Sequence, residues 1–339
     1  MLYVTTRNKT DSYTAYKALR DGFASNGGQF IPLQLPVLSQ DKLDELLALS
    51  FCDTVAQILN MFFSVQLTGW DVEFAIGRRP VKFSSFGRKI TVAEFWHNAD
   101  QSMTYSMNRV YSLLCQRDIA CGKARGWGAI AIRIAFLFGA FSLLKVEGIS
   151  ILDIAASGYD MESVMAVWYA RKMGLPVGLI LCGANENCGV WDLLYKGQLD
   201  TGASVVSTDA QAMDQIVPAG VERLIYETLG LDENLAFLRQ VNQKGVYRMS
   251  DEQRSLVRQG LFSSVVGKSR VKDLINSVYQ TNGYLIDPYM AISYGTLLDY
   301  RTKTGENRMT LLLSEAAPVK HAKIIAAATG LPETHIGKS

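Results

Sequence analysis

Metal ligands are scarce in this sequence. It has three histidines, His97, His321 and His335, and five cysteines, none of them in a CxxC pair. Cys182 and Cys188 flank the loop "GANEN", but without a Cys/His cluster they do not make a zinc site, and no metal is expected. An odd cysteine count in a chain this long reads as reduced thiols, which points to a cytoplasmic location. An excess of one charge is also missing. The 34 Lys and Arg stand against 32 Asp and Glu, net charge +2, with the cations scattered. That excludes the basic footprint of a nucleic-acid binder. The opening "MLYVTTRNKTDSYT" lacks the apolar core of a secretory signal. The most apolar run, Trp127 to Leu144, carries Arg133 in its first half. The uninterrupted tract left is too short for a bilayer, so a buried helix is expected and no membrane span.

What is present is a chain of 339 residues, 48% apolar, enough for one large or two modest domains. The first part reads as a small α+β unit. "LYVTT" is a strand, "SYTAYKALRDGFA" an amphipathic helix, and "SQDKLDELLAL" and "FCDTVAQILNMFF" further helices. "VKFSSFGRKITVAEFW" reads as paired strands. From about residue 150 strands and helices alternate. "SILDIAA", the helix "VMAVWYARKMG" and the apolar strand "LPVGLILCGA" form a βαβ unit of a covered parallel sheet. "ASVVST" is expected as a further strand. "SDEQRSLVRQGLFSSV" is expected as a helix opened by a Ser250–Gln253 capping box. "RMTLLLSEA" is a late strand. The class is α/β.

Several stretches, collinear over nearly the whole chain, resemble the threonine synthase family. They are "YVTTRN…AYKALRDGFASNGGQFIP", "SGYDMESVMAVWYARKMGLPV", "GANENCGV", "TDAQAMDQIVPAGVERLIYE", "DPYMAISYG" and "LLLSEAAPVKHAKII". The resemblance implies a pyridoxal-phosphate (PLP) fold of type II. It divides the chain into a small N-terminal α+β domain, 1–85, and a large α/β domain with a parallel or mixed sheet, 86–339. It also implies that the usual second PLP-side domain is deleted around 106–126, where only "YSLLCQRDIACGKARG" stands.

The departures from the family pattern fall where its chemistry lies. In the family, "FHGPTxAFKD" supplies the lysine that holds PLP as a Schiff base. Here "FWHNADQSMTY" keeps His97 and puts Thr104 at the lysine position. A hydroxyl forms no imine with an aldehyde. The family's phosphate loop "SGNFGD" becomes Ser157-Gly158-Tyr159-Asp160-Met161-Glu162. Its carboxylates are expected to cap the following helix and to repel a phosphate. The position facing the ring nitrogen becomes Glu315, and the histidine of "DPHT" becomes Tyr289. Asn185 and Asn187 occupy the loop that contacts ligand in the family.

The vestigial catalytic candidates are therefore His97, Thr104 and Glu315. The cofactor-loop candidates are Ser157, Gly158, Tyr159, Asp160, Asn185 and Asn187. No cofactor is expected, PLP included. The expected function is a pseudoenzyme that acts by binding a small amino-acid-like ligand or by assembly. It would form a homo-oligomer or a complex with another protein over the exposed cleft. The alternative is a repurposed enzyme, a lyase or transferase on a small amino-acid-like or phosphorylated substrate. Were a covering domain lost, "FLFGAF" (136–141) would be the apolar segment left in need of a partner.

Overall fold

The computed structural model describes residues 1–115, 123–144, 151–157 and 161–337. The N-terminal part holds strands β1 (Leu2–Thr5), β2 (Asn8–Thr14) and β3 (Phe30–Pro32) and helix α1 (Ala15–Asp21). β1 is central and antiparallel to both neighbours. Helices α2 (Gln40–Leu47), α3 (Phe51–Phe63) and α4 (Gly69–Ile76) follow, begun by Ser39, Ser50 and Thr68, whose hydroxyls accept from backbone N–H groups of the first turn.

Next come β4 (Lys82–Ser84), β5 (Ile90–Glu94), α5 (Met103–Leu114) and α6 (Gly126–Leu143). The βαβ unit is β6 (Leu152–Ser157), α7 (Glu162–Lys172) and β7 (Val177–Ala184). After it run α8 (Gly189–Lys196), β8 (Gln198–Asp200), α9 (Gly220–Leu229), α10 (Leu231–Lys244), β9 (Val246–Arg248), α11 (Asp251–Arg258) and β10 (Leu261–Val265). Helices α12 (Lys268–Asn282) and α13 (Pro288–Thr304), strand β11 (Thr310–Ser314) and α14 (Ala322–Thr329) complete the order.

The main sheet has the order β10-β7-β6-β11-β5-β4, parallel except for β4. β11, last in sequence, inserts between β5 and β6. That is where the strand order reverses, and in open parallel sheets the carboxyl ends of strands at such a point form a ligand crevice. Here those ends are Glu94, Ser157 and Ser314.

Helix α6 is apolar on every side, with mean hydropathy 1.6, and is buried from Gly126 through Ser142. It is core and lies against α3. A Cβ on Gly139 would stand 2.8 Å from the Phe51 ring, so glycine sets the closeness of that approach. "FLFGAF" lies inside this helix with its aromatic rings buried, as a core helix requires.

Three expectations are corrected. Residues 203–208, "ASVVST", form no strand, since Asn187 clasps the backbone of Val206 through both amide atoms. The segment 251–265 is not one helix. The capping box at Ser250 is present, but α11 ends at Arg258, Gly260 takes φ 73°, and "LFSSV" pairs with β7 as β10. Third, the N-cap position of α7 falls on neither carboxylate. The N-cap is Met161, whose side chain makes no capping bond, and Glu162 in the first turn pairs with Arg133 at 3.7 Å. Gly158, Tyr159 and Asp160 lie outside the described residues.

Candidate functional site

Two cavities open at the carboxyl ends of the sheet, and the candidate residues divide between them. The first, about 260 Å³, lies where β6 and β11 end. Its wall includes Thr104, Ser157 and Glu315, residues brought together from three parts of the chain. Thr104 is exposed in the first turn of α5, behind the N-cap Ser102. That turn is fixed to the end of β11, because the Met103 N–H donates to the Glu315 carbonyl at 2.7 Å.

The Glu315 carboxylate is held from within. The Ser163 hydroxyl, in the first turn of α7, donates to Oε1. The Arg133 guanidinium donates to Oε2 at 3.3 Å. Arg133 is buried in the middle of α6, and its charge faces Glu162 as well as Glu315. A buried cation is sustained only by such partners. The lone arginine in an apolar run was therefore the sequence signal for an ion pair.

The opposite wall carries residues that motif reasoning passed over. Asp287 is buried and caps α13, accepting from the Met290 N–H at 2.7 Å. Burial pushes its carboxyl above the ordinary range, while nearby His321 pulls the other way. The His321 ring meets Tyr289 edge-on at 5.4 Å. The Tyr289 hydroxyl accepts from the Ala212 N–H at 3.0 Å. Asp287 and His321 lie 34 positions apart, in segments quoted only for resemblance.

His97 is elsewhere. It lines the second cavity, about 480 Å³, at the ends of β4 and β5. Its Nε2 lies 2.6 Å from Oε2 of Glu94, and its ring stacks on Trp96 at 4.1 Å. Glu94 is buried and also accepts from the Tyr284 hydroxyl at 2.6 Å.

Asn185 and Asn187 line neither cavity. Asn185 donates to Thr208 at 3.0 Å and to Asp214 at 2.9 Å, and its carbonyl accepts from the Asn187 N–H. Both amides are spent tying the 204–214 segment to the end of β7. No group of three or more metal-ligating side chains gathers among the described residues. Burial pushes the Cys182 thiol up to about 12.

Residues 2–78 match the family described as threonine synthase N terminus. Threonine synthase-like 2 of Homo sapiens is 22% identical over 214 residues, 61% of this chain and 44% of that protein. Threonine synthase of Schizosaccharomyces pombe is 24% identical over 234 residues, 62% of this chain and 46% of that protein. Threonine synthase-like 1 of Macaca fascicularis matches 52% of this chain and 24% of its own length, at 21% identity. The chain thus spans less than half the length of these curated relatives. Among solved structures, a PLP-bound threonine synthase from Brucella melitensis superposes with TM-score 0.84 at 18% identity, covering 98% of this chain and 92% of that one. The yeast enzyme gives 0.82 at 16% identity, covering 96% and 89%.

Proposed function

From a chain that belongs to the threonine synthase family by its N-terminal region and its fold, we propose a protein that has left PLP chemistry and acts by binding. Its ligand is a small amino-acid-like molecule, held in the cavity between Thr104 and Glu315. The observation that carries this reading is the engagement of Glu315 by Ser163 and Arg133. By the resemblance, the first turn of α7 is where the family seats a phosphate. Here the chain's own carboxylate is bonded to that turn, and Glu162 adds a second negative charge beside it. A dianion would meet two carboxylates where it needs open N–H groups.

The residues of the wall do not fit PLP at its other end either. None of them is a lysine, and the position that resembles the Schiff-base lysine bears a threonine hydroxyl. They do suit a small molecule with an ammonium group. Asp287 and Glu315 supply carboxyl oxygens, and Ser102, Thr104, Ser157 and Tyr289 supply hydroxyls around about 260 Å³. Loss of the second PLP-side domain, and a second copy or another protein over the cleft, belong to the same reading.

The test is to incubate the protein with excess PLP, record its absorbance, reduce with borohydride and measure intact mass. The expected result is no imine band and no adduct. A band that persists as a mass increment on one lysine would mean a relocated Schiff base and would sink the proposal.

A further inference from the structure

The second cavity is built around a carboxylate–imidazole pair, and we propose that it is a separate binding site for a small aliphatic carboxylate, held by His97 and Lys82. The inference goes beyond the Thr104–Glu315 reading and uses none of its residues.

The geometry begins with Glu94, the last residue of β5, whose side chain is 3% exposed. Both carboxylate oxygens are engaged, Oε1 by the Tyr284 hydroxyl and Oε2 by Nε2 of His97, each at 2.6 Å. A buried carboxylate on one ring nitrogen fixes the orientation of an imidazole. Stacking on Trp96 holds the ring plane. The other nitrogen, Nδ1, has no protein partner among the described residues, and the side chain is 28% exposed on a cavity of about 480 Å³.

Two further polar ends line the same space without partners among the described residues. Lys82 makes no ion pair, and the Gln101 side-chain amide makes no hydrogen bond. The titratable groups on the wall are Lys82, Glu94, His97 and Tyr284. Burial first, and then Glu94, hold the Tyr284 hydroxyl well above its ordinary value, so it stays neutral. Both oxygens of Glu94 are engaged by His97 and Tyr284, which leaves the Lys82 ammonium as the charged end without an ion-pair partner among the described residues. One spare positive charge suits a monoanion and not a phosphate dianion. Leu285, Val319 and Trp96 offer apolar surface to a short carbon chain.

The experiment titrates the full chain with butyrate and, separately, with butylamine, a probe of similar size and opposite charge. The readout is the 1H–15N correlation of the His97 ring, assigned by its disappearance in His97→Ala. We expect a saturable shift with butyrate and none with butylamine. Lys82→Gln, a change at an exposed residue, should weaken butyrate about tenfold, as expected on losing one charge-assisted hydrogen bond. Glu315→Gln, in the other cavity, should leave it unchanged. An equal response to both probes, an unweakened response in Lys82→Gln, or no saturable shift by on the order of 50 mM, a fair ceiling for so small a ligand, would overturn the proposal. A PLP adduct on a lysine other than Lys82 would end the reading of the first cavity and leave this result standing.

Discussion

Ser163 donates its hydroxyl proton to the carboxylate of Glu315, 152 positions further along the chain. That bond joins the first turn of α7 to the residue following β11, and Arg133 completes it from α6. A carboxylate so placed is a built-in anion. Removing it should therefore create a vacancy for another. Glu315→Ala is expected to bind inorganic phosphate or sulfate, and the unaltered protein is expected not to. The variant itself should lose about 1–3 kcal/mol, because buried Arg133 loses one of its carboxylate partners. Phosphate at ten times its dissociation constant should restore about 1.4 kcal/mol. Thermal unfolding across a phosphate series checks this. Equal phosphate responses in both proteins would refute it.

If the lysine were the only part missing, restoring it would restore the imine. The crowding of carboxylates near α7 predicts otherwise. Thr104→Lys in the presence of PLP should give no borohydride-stable adduct on residue 104, and combining it with Glu315→Ser should give one. Intact mass followed by peptide mapping decides the matter. An adduct in the single variant would show that the anion position does not control the site.

Core stability rests on α6. Phe136 packs on Phe51 at 5.7 Å and on Phe95 at 6.2 Å, so it ties the N-terminal helices to the main sheet. Phe136→Ala should cost about 3–5 kcal/mol, read as a lower denaturant midpoint. A change under about 1 kcal/mol would mean that this contact is not part of one cooperative core.

How much of this was legible beforehand depended on distance along the chain. Thr104, Ser157 and Glu315 could be singled out by local resemblance, and the fold brings them to one cavity wall. His97 was equally visible but belongs to another cavity, because β11 separates β5 from β6. Glu94 stood inside the same stretch as His97 and read only as a strand residue. Its role comes from Tyr284, 190 positions away. Arg133 was noticed as an interruption of an apolar run, and its partners lay too far off for any spacing rule. β10 was missed because two serines within "LFSSV" break its apolar run, and only pairing with β7 makes it a strand. Local pattern carried the elements, whereas the chemistry of the site came from contacts between remote segments.

Glu227 accepts a hydrogen bond from the Tyr169 hydroxyl at 2.7 Å, and burial raises its carboxyl above the ordinary 4.5. The folded state therefore holds this proton to a higher pH than the unfolded chain does. Between 4.5 and the raised value the native state binds more protons, so this group's contribution to stability falls as pH rises through that window. Carboxyls held low, such as Asp299 beside Arg270, act in the opposite sense, so total stability alone cannot isolate the effect. The difference between the unaltered protein and Glu227→Gln can. Glutamine keeps an acceptor for Tyr169 and carries no charge. The variant should gain on the unaltered protein as pH climbs above 4.5, and the gain should level off once Glu227 is ionised in the folded state. Denaturant midpoints measured from pH 4 to 8 would trace it. A difference that stays flat, or that shrinks with rising pH, would mean that burial does not hold the Glu227 proton.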